Sequence, residues 1–237
     1  MINVPRFVLF CPMTQNRPVS IIADIVVMAF VCILPHAASM PMIVYVPIIL
    51  LVLWGYLHSR GMSFANIGFR WKDISWRSFV IGVLLGIGWA ALVYLMVGPL
   101  ILKTTGLPRA DLSDFDGIRH RWNEFIMLLI IAWVLVIPYE EIIFRGFIFT
   151  TLRRLLGDTS ILPGKVTARF WLAGLLHSII FSFYHWQEGG SAMITIFAGA
   201  MLSVGLYKLF RGNLWYLIFF HAAYDTVMLS LFRYGYM

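Results

Sequence analysis

Seven apolar runs divide most of the chain, and each is long enough to cross a bilayer as a helix. They lie near 20–38, 40–57, 78–102, 124–150, 168–185, 191–207 and 213–232. Crossing the hydrocarbon core of a bilayer takes roughly 20 helical residues. The pattern predicts an all-α polytopic membrane bundle of about seven to eight transmembrane helices. Very short connections predict tight antiparallel hairpins between the first and second runs and between the fifth and sixth.

The composition supports lipid as the main solvent of the chain. Hydrophobic residues make up 61% of the sequence and charged residues 12%, whereas soluble domains carry roughly 25% charged residues. The mean hydropathy is +0.85. These values exclude a soluble globule and a disordered chain. Cys11 and Cys32 are the two cysteines, which is too few for a disulfide framework.

Lysine and arginine are unevenly divided between the two sides of the predicted bundle. With the N-terminus inside, the twelve bases on the cytoplasmic side are Arg6, Arg17, Arg60, Arg70, Lys72, Arg77, Arg153, Arg154, Lys165, Arg169, Lys208 and Arg211. The five on the outer side are Lys103, Arg109, Arg119, Arg121 and Arg233. The positive-inside rule therefore predicts a cytoplasmic N-terminus and an external turn at 186–190. Because the bases form no single basic face, the net charge of +7 indicates topology and no nucleic-acid partner.

Ionisable side chains inside the apolar runs cluster on three predicted helices. They are Glu140, Glu141 and Arg145 on the fourth, His177 and His185 on the fifth, and His221 and Asp225 on the seventh. A charge at the bilayer centre costs at least roughly 2.5 kcal/mol on insertion scales, so such residues are candidates for function. Taken singly, each has a structural explanation, such as an ion pair four residues apart on one helix face. Their convergence favours a site.

The two adjacent glutamates strengthen that interpretation. Glu140 is rotated by about 100° from Glu141 on an α-helix, so one base does not readily neutralise both carboxylates. The chain lacks a Gly-rich phosphate loop, a Gly-x-Ser-x-Gly elbow and a His-Glu-x-x-His motif. The remaining possibilities are acid–base catalysis with water, or metal ligation by carboxylate and imidazole. Either chemistry leads to hydrolysis.

Three motifs occur in order on these helices. Residues 140–145 read E-E-x-x-x-R, residues 181–185 read F-x-x-x-H, and residues 221–225 read H-x-x-x-D. This arrangement resembles the CAAX-protease and bacteriocin-processing family, also called CPBP or Abi, of glutamate-type intramembrane proteases. The resemblance covers roughly 124–232 and does not extend to the first hundred residues.

The resemblance implies roles for individual residues. Glu140 is expected to be the general base that activates a water with the help of His185, while His221 and Asp225 polarise the scissile carbonyl. The eukaryotic endopeptidases of the family carry Asn at the last motif position, where this chain has Asp225. Because an ionised Asp cannot donate a hydrogen bond, Asp225 either stays protonated in its apolar setting or orients His221. The orienting role is the expected one, with His221 as the sole donor to the oxyanion.

Three further residues are expected to support the site, and one is an alternative to His185. Glu141, Arg145 and Phe181 belong to the motifs and are expected to order the catalytic groups. His177 lies on the same helix face as His185, eight residues earlier, at a depth closer to that predicted for Glu140. It is therefore the alternative ligand for the water.

The predicted organisation is a cytoplasmic tail (1–19), transmembrane scaffold helices (20–123) and a catalytic helical core (124–232). The expected function is an intramembrane endopeptidase, a hydrolase of peptide bonds, acting on a membrane-associated, lipidated or processed peptide. The expected partners are this peptide or protein substrate and the lipid bilayer, in a bacterial inner or plasma membrane. No cofactor is expected to be required, and zinc held by the same carboxylates and imidazoles is the metal-dependent alternative. The non-enzymatic alternative is an immunity or scaffold protein of the same fold.

Overall fold

The computed structural model describes residues 17–37, 40–158 and 167–236, with side chains from Ser20 onward. All regular structure in these residues is helical. The principal helices among them are α1 (Arg17–Ala37), α2 (Met42–Ser59), α3 (Trp76–Thr105), α4 (Trp122–Leu155), α5 (Ala168–Tyr184), α6 (Gly190–Leu209) and α7 (Leu214–Arg233). Residues 1–16 of the predicted cytoplasmic tail lie outside the described part.

The predicted all-α membrane bundle is confirmed, and the protein is a multi-pass membrane protein. Each predicted apolar run coincides with one of the helices α1 to α7. Six of them are long and apolar enough to cross a membrane, whereas α5 has 17 residues and is shorter. The residues that the structure describes contain no eighth helix of this kind. At 30 and 34 residues, α3 and α4 are longer than the roughly 20 residues that a span requires.

Two glycines allow α3 and α7 to pack closely. A Cβ atom on Gly82 would lie 2.7 Å from the carbonyl oxygen of Tyr216, and one on Gly86 would clash with the carbonyl oxygen of Phe220. Small residues four apart allow helix backbones to approach in this way. The contact fixes the position of α7 one residue before His221, so it also sets where the last motif lies.

The α5–α6 hairpin places the second motif at the end of the bundle. Thr167 caps α5 by accepting a hydrogen bond from the Phe170 amide at 3.1 Å. Near the turn, the Ser182 hydroxyl donates to the Met193 carbonyl at 2.7 Å. A single 3₁₀ turn (Trp186–Glu188) then joins the helices. His185 is the residue at which α5 stops, so its imidazole projects from a helix end.

A buried acid joins α1 to the rest of the bundle near the basic loops. Asp24, 1% exposed, forms ion pairs with Arg154 at 2.7 Å and with Arg60 at 3.6 Å, and it accepts a hydrogen bond from the Tyr56 hydroxyl. The three partners come from α2, its C-terminal end and α4. Asp24 is thus a structural charge that is fully paired, away from the three motifs.

Candidate active site

A cavity of about 1130 Å³ lies at the end of the bundle where α4 begins and α5 ends. Its wall includes residues from all three motifs: Glu140, Arg145, Phe181, His185, His221 and Asp225. The structure therefore brings together every residue predicted to be catalytic. Their chemical roles stay predictions at this point, and the geometry defines which roles are feasible.

The two glutamates lie on a part of α4 that departs from α-helical geometry. Residues Ala132–Val136 and Glu141–Ile148 are π-helical. A π-helix has more residues per turn than an α-helix and occurs frequently at functional sites. Both carboxylates lie near the imidazole of His221. Glu140 is 9% exposed and Glu141 is 1% exposed.

His221 contacts both glutamates, one with each ring nitrogen. Its Nδ1 lies 2.9 Å from Oε1 of Glu141, and its Nε2 lies 3.8 Å from Oε2 of Glu140. Arg145, on the same helix as the two acids, pairs with Glu141, whereas His221, on α7, lies near both of them. Since a carboxylate only accepts, Nδ1 carries the proton in the contact with Glu141.

Glu141 makes the short contact that orients the ring of His221. Asp225 was expected to orient this ring, but its Oδ2 lies 3.5 Å from Nε2, on the same side as Glu140. The short contact to Nδ1 belongs to Glu141. Oε1 of Glu141 also lies 3.2 Å from Nη1 of Arg145. Glu141 therefore links the arginine and the histidine, a role that spacing along α4 alone did not indicate.

His185 is held by its own helix. Its Nδ1 lies 3.0 Å from the carbonyl oxygen of Phe181, and because a carbonyl only accepts, Nδ1 is the protonated nitrogen. Its Nε2 faces Glu140, 4.0 Å from Oε1. The ring thus presents an acceptor nitrogen to the cavity, opposite the carboxylate of Glu140.

Phe181 packs at the centre of the motif residues. Its ring lies under the guanidinium of Arg145, 4.0 Å from Cζ, and makes an edge contact with His185 at 4.8 Å between centroids. The cation–π contact stabilises the buried Arg145 charge. The predicted supporting residues Glu141, Arg145 and Phe181 therefore form one connected group, of which Arg145 and Phe181 line the cavity.

His177 lies away from the cavity. It is fully buried, and its ring packs against Phe149 at 5.7 Å and Phe144 at 6.5 Å between centroids. It is not among the residues of the cavity wall. This geometry favours His185 over His177 as the partner of Glu140.

Glu188, in the turn after α5, also lines the cavity, although no motif or periodic pattern singled it out. Burial raises the pKa of Glu188 to about 6, the neighbouring His185 opposes this, and the nearby carboxylates of Asp225 and Glu140 add to it. Its backbone carbonyl accepts from the Asp111 amide at 2.9 Å, which connects the turn to the loop between α3 and α4. The only sequence signal was an acid three residues after His185.

Among the described residues, no group of three or more His, Cys, Asp or Glu side chains is arranged as metal ligands. The chain is similar to known proteins over part of its length. Residues 122–227 match the family model described as Rce1-like, type II CAAX prenyl endopeptidase Rce1-like. Over these residues the chain is similar to the Rce1-like CAAX protease family. No curated protein and no solved structure matches the chain significantly.

The match confirms the resemblance inferred from the three motifs, since all of them lie within the matched residues. The Rce1-like family is a family of prenyl endopeptidases, which hydrolyse peptide bonds. The protein is accordingly a hydrolase, an endopeptidase of the CAAX-protease type in a membrane. The division of the chain at 123/124 stays a prediction.

Replacing Glu141 is expected to destabilise the folded protein. In Glu141→Gln, Arg145 loses the negative charge that pairs with it in a buried setting, and breaking a buried pair typically costs about 3–5 kcal/mol. A lower melting temperature in detergent and a lower yield of inserted protein should follow. Glu124→Gln is the matched control, because the Glu124–Arg121 pair at 2.7 Å is partly exposed. Equal melting temperatures for Glu141→Gln and wild type would contradict the proposed pairing.

Replacing Glu188 is expected to change how stability depends on pH. Since the pKa of Glu188 is raised to about 6 in the folded protein, the folded state binds more protons than the unfolded state between about pH 4.5 and pH 6. Stability contributed by Glu188 therefore falls as pH rises through this window. Glu188→Gln should melt higher than wild type at pH 7.5, by about 3 °C or less, and at the same temperature at pH 4. A difference that is constant with pH would refute this.

Proposed function

We propose that this endopeptidase hydrolyses its substrate with a water activated by Glu140. The observation that carries the proposal is the pairing of Glu140 with His185 across 4.0 Å. A polar separation longer than a direct hydrogen bond is suited to a bridging water. Both groups present acceptors: an ionised carboxylate on one side and the unprotonated Nε2 of His185 on the other.

This pair of acceptors would orient the water for attack. A water that donates one hydrogen to Glu140 and the other to His185 has its oxygen lone pairs directed away from both. A carbonyl carbon lying in the cavity would meet those lone pairs. Because Nδ1 of His185 is fixed to the Phe181 carbonyl, the acceptor nitrogen cannot turn away without breaking that hydrogen bond. Such positioning removes much of the entropic cost of the attack.

His221 is proposed to stabilise the oxyanion that forms. Its Nδ1–H donates to Glu141, so Nε2 can donate only when the ring is an imidazolium. The negative charges of Glu140, Glu141 and Asp225 around the ring stabilise that form. Nε2–H then lies on the cavity side, where it can donate to the carbonyl oxygen as it becomes negative.

Glu140 both takes up a proton and returns it during the reaction. The water oxygen bonds to the carbonyl carbon while Glu140 takes a proton from it. The same proton then moves from Glu140 to the amide nitrogen as the carbon–nitrogen bond breaks. The second hydrogen of the water remains on the new carboxylic acid, which passes it to the released amine, so the products are a carboxylate and an ammonium group. Microscopic reversibility requires a group that serves first as base and then as acid, and Glu140 lies where it can do both.

The proposed substrate is a peptide segment associated with the membrane, either anchored by lipid or part of a processed precursor. The cavity lies within the helical bundle, so the substrate must approach through the bilayer or at its edge. The proposed location is the cell membrane, of the bacterial inner or plasma membrane type. Purified protein in detergent, incubated with a peptide library and analysed by mass spectrometry, tests the proposal. Products that differ from a protein-free control are expected.

Chelation separates this mechanism from a metal-dependent one. A water activated by a glutamate needs no ion, so cleavage is expected to survive strong chelation without loss. A zinc-bound water would be lost with its ion and restored when zinc is added back. The measurement is the cleavage rate of one library peptide before chelation, after it and after readdition of metal. Reversible loss of activity would replace the proposed mechanism with the metal-dependent alternative.

A further inference from the structure

We infer that the catalytic cavity opens on the face of the membrane opposite the basic loops, so that the substrate is a peptide presented from the extracytoplasmic side. The inference rests on the proposed function, and it adds the side from which the scissile bond reaches Glu140. It follows from three separate features of the molecule: the cavity mouth, the closed inner side and the distribution of basic residues.

The mouth of the cavity is formed by one end of the bundle. The exposed polar residues of its wall include Arg109, Asp111 and Asp116 from the loop between α3 and α4, Gln187 from the α5–α6 turn, and Tyr236 after α7. Each of these segments lies at the same end of its neighbouring helices. The wall contains no residue from the described parts of the opposite loops, 60–75, 156–158 and 210–213. Water and substrate therefore have access from this end.

The other side of the site is closed by buried aromatic rings. Phe149 is fully buried and makes edge contacts with Phe170 at 5.4 Å and with Tyr207 at 5.3 Å between centroids. Phe144 joins this layer to Phe181, with centroids 4.7 Å apart. Close-packed rings leave no path for a peptide. A substrate cannot reach Glu140 from the side of the opposite loops without displacing this layer.

The basic residues identify the opposite loops as cytoplasmic. In the part of the chain that the structure describes from Ser20 onward, the bases at the closed end are Arg60, Arg70, Lys72, Arg77, Arg153, Arg154, Arg169, Lys208 and Arg211. Those at the open end are Lys103, Arg109, Arg119, Arg121 and Arg233. The excess at the closed end places that end in the cytoplasm by the positive-inside rule. The open end is then extracytoplasmic.

The depth of the site adds a requirement on the substrate. Asp225 lies eight residues before the end of α7 at Arg233, which corresponds to roughly 12 Å along the helix. An extended chain advances about 3.3 Å per residue, so about four residues must be unfolded to bring a bond to this depth. A substrate of this site must therefore have an unstructured peptide segment close to the point where the substrate is attached to the outer face of the membrane.

Sealed membrane vesicles of the two orientations test the inference. The probe is a membrane-impermeant quenched fluorescent peptide, chosen because the detergent-solubilised protein cleaves it. Right-side-out vesicles should cleave it directly, whereas inverted vesicles should remain inactive until detergent is added. Vesicles carrying Glu140→Gln provide the background for both orientations. Cleavage by sealed inverted vesicles at the rate of right-side-out vesicles would overturn the inference.

A labelling experiment tests the orientation independently of activity. In a background with Cys11 and Cys32 replaced by Ser, Gln187→Cys should react with an impermeant maleimide in intact cells, and Lys72→Cys should react only after lysis. The reverse pattern would overturn the inference while leaving the proposed function intact. Failure of the detergent-solubilised protein to cleave any peptide faster than Glu140→Gln would instead remove the proposed function and the inference with it.

Discussion

Glu140→Gln is expected to insert and fold like the wild type but to lose peptide hydrolysis by about 10²–10⁴-fold, the range that a positioned acid or base contributes. The amide has nearly the same volume as the carboxylate and can still contact His185 and His221. It cannot take a proton from water, so the nucleophile is not generated. The measurement is the cleavage rate of a fixed peptide in detergent, with the melting temperature of each protein recorded in the same buffer.

Glu124→Gln is the matched control for this variant. Glu124 lies on the same helix, but its carboxylate pairs with Arg121 at the end of α4 and is absent from the cavity wall. The control should keep full activity. Glu140→Gln with the activity of wild type, on a peptide that is demonstrably cleaved, would remove the glutamate mechanism. The match of residues 122–227 to the Rce1-like family model would stand, because it does not depend on that mechanism.

The transmembrane helices of this protein could be predicted from its sequence because they lie in lipid. A span must satisfy its backbone internally and bury about 20 apolar residues, so each helix from α1 to α7 leaves a visible run. Gly82 and Gly86 have the four-residue spacing of small residues that allows close helix packing, and they lie where α3 meets α7. Charges such as Asp24 were harder to interpret, because their partners Arg60 and Arg154 lie far away in the chain.

The residues of the site could be predicted from the sequence, but the contacts between their side chains could not. The motifs identified the residues, because ionisable groups in lipid are rare. Which side chain contacts which depends on the winding of α4, and the sequence 141–148 contains no proline or other feature that announces a π-helix. The contact from Glu141 to His221 joins the first residue of this π-helix to α7, which is distant in the chain. From the spacing on an α-helix, Arg145 was the only partner predicted for Glu141.

Glu188 illustrates the limit for residues in turns. A carboxylate in a polar segment is ordinarily a solvated charge, so nothing distinguished Glu188 from the acids of the loop between α3 and α4. Its place in the cavity wall depends on how the α5–α6 turn folds back against Asp111. Such long-range contacts between loops leave no periodic signal along the chain.

His221→Ala is expected to reduce the cleavage rate by about 100-fold to 1000-fold, as loss of an oxyanion donor typically does. The variant removes the proposed Nε2–H donor, and it also leaves Glu140 and Glu141 without the group that lies between them. His58→Ala is the control, because His58 is exposed and stacks on Trp54, away from the cavity. Rates are compared at saturating peptide, so that the loss is assigned to the chemical step.

Asp225→Asn is expected to behave differently from His221→Ala and to keep activity within about tenfold of wild type. Asp225 lies 3.5 Å from Nε2 of His221, and the short orienting contact to that ring comes from Glu141. An Asn side chain at this position can still accept from the ring, and its amide can donate to the oxyanion, as an ionised carboxylate cannot. Glu140 and Glu141 still supply the negative charge that favours the imidazolium. An inactive Asp225→Asn, combined with reversible loss of wild-type activity on chelation, would instead make Asp225 a metal ligand and assign the enzyme to a metal-dependent class.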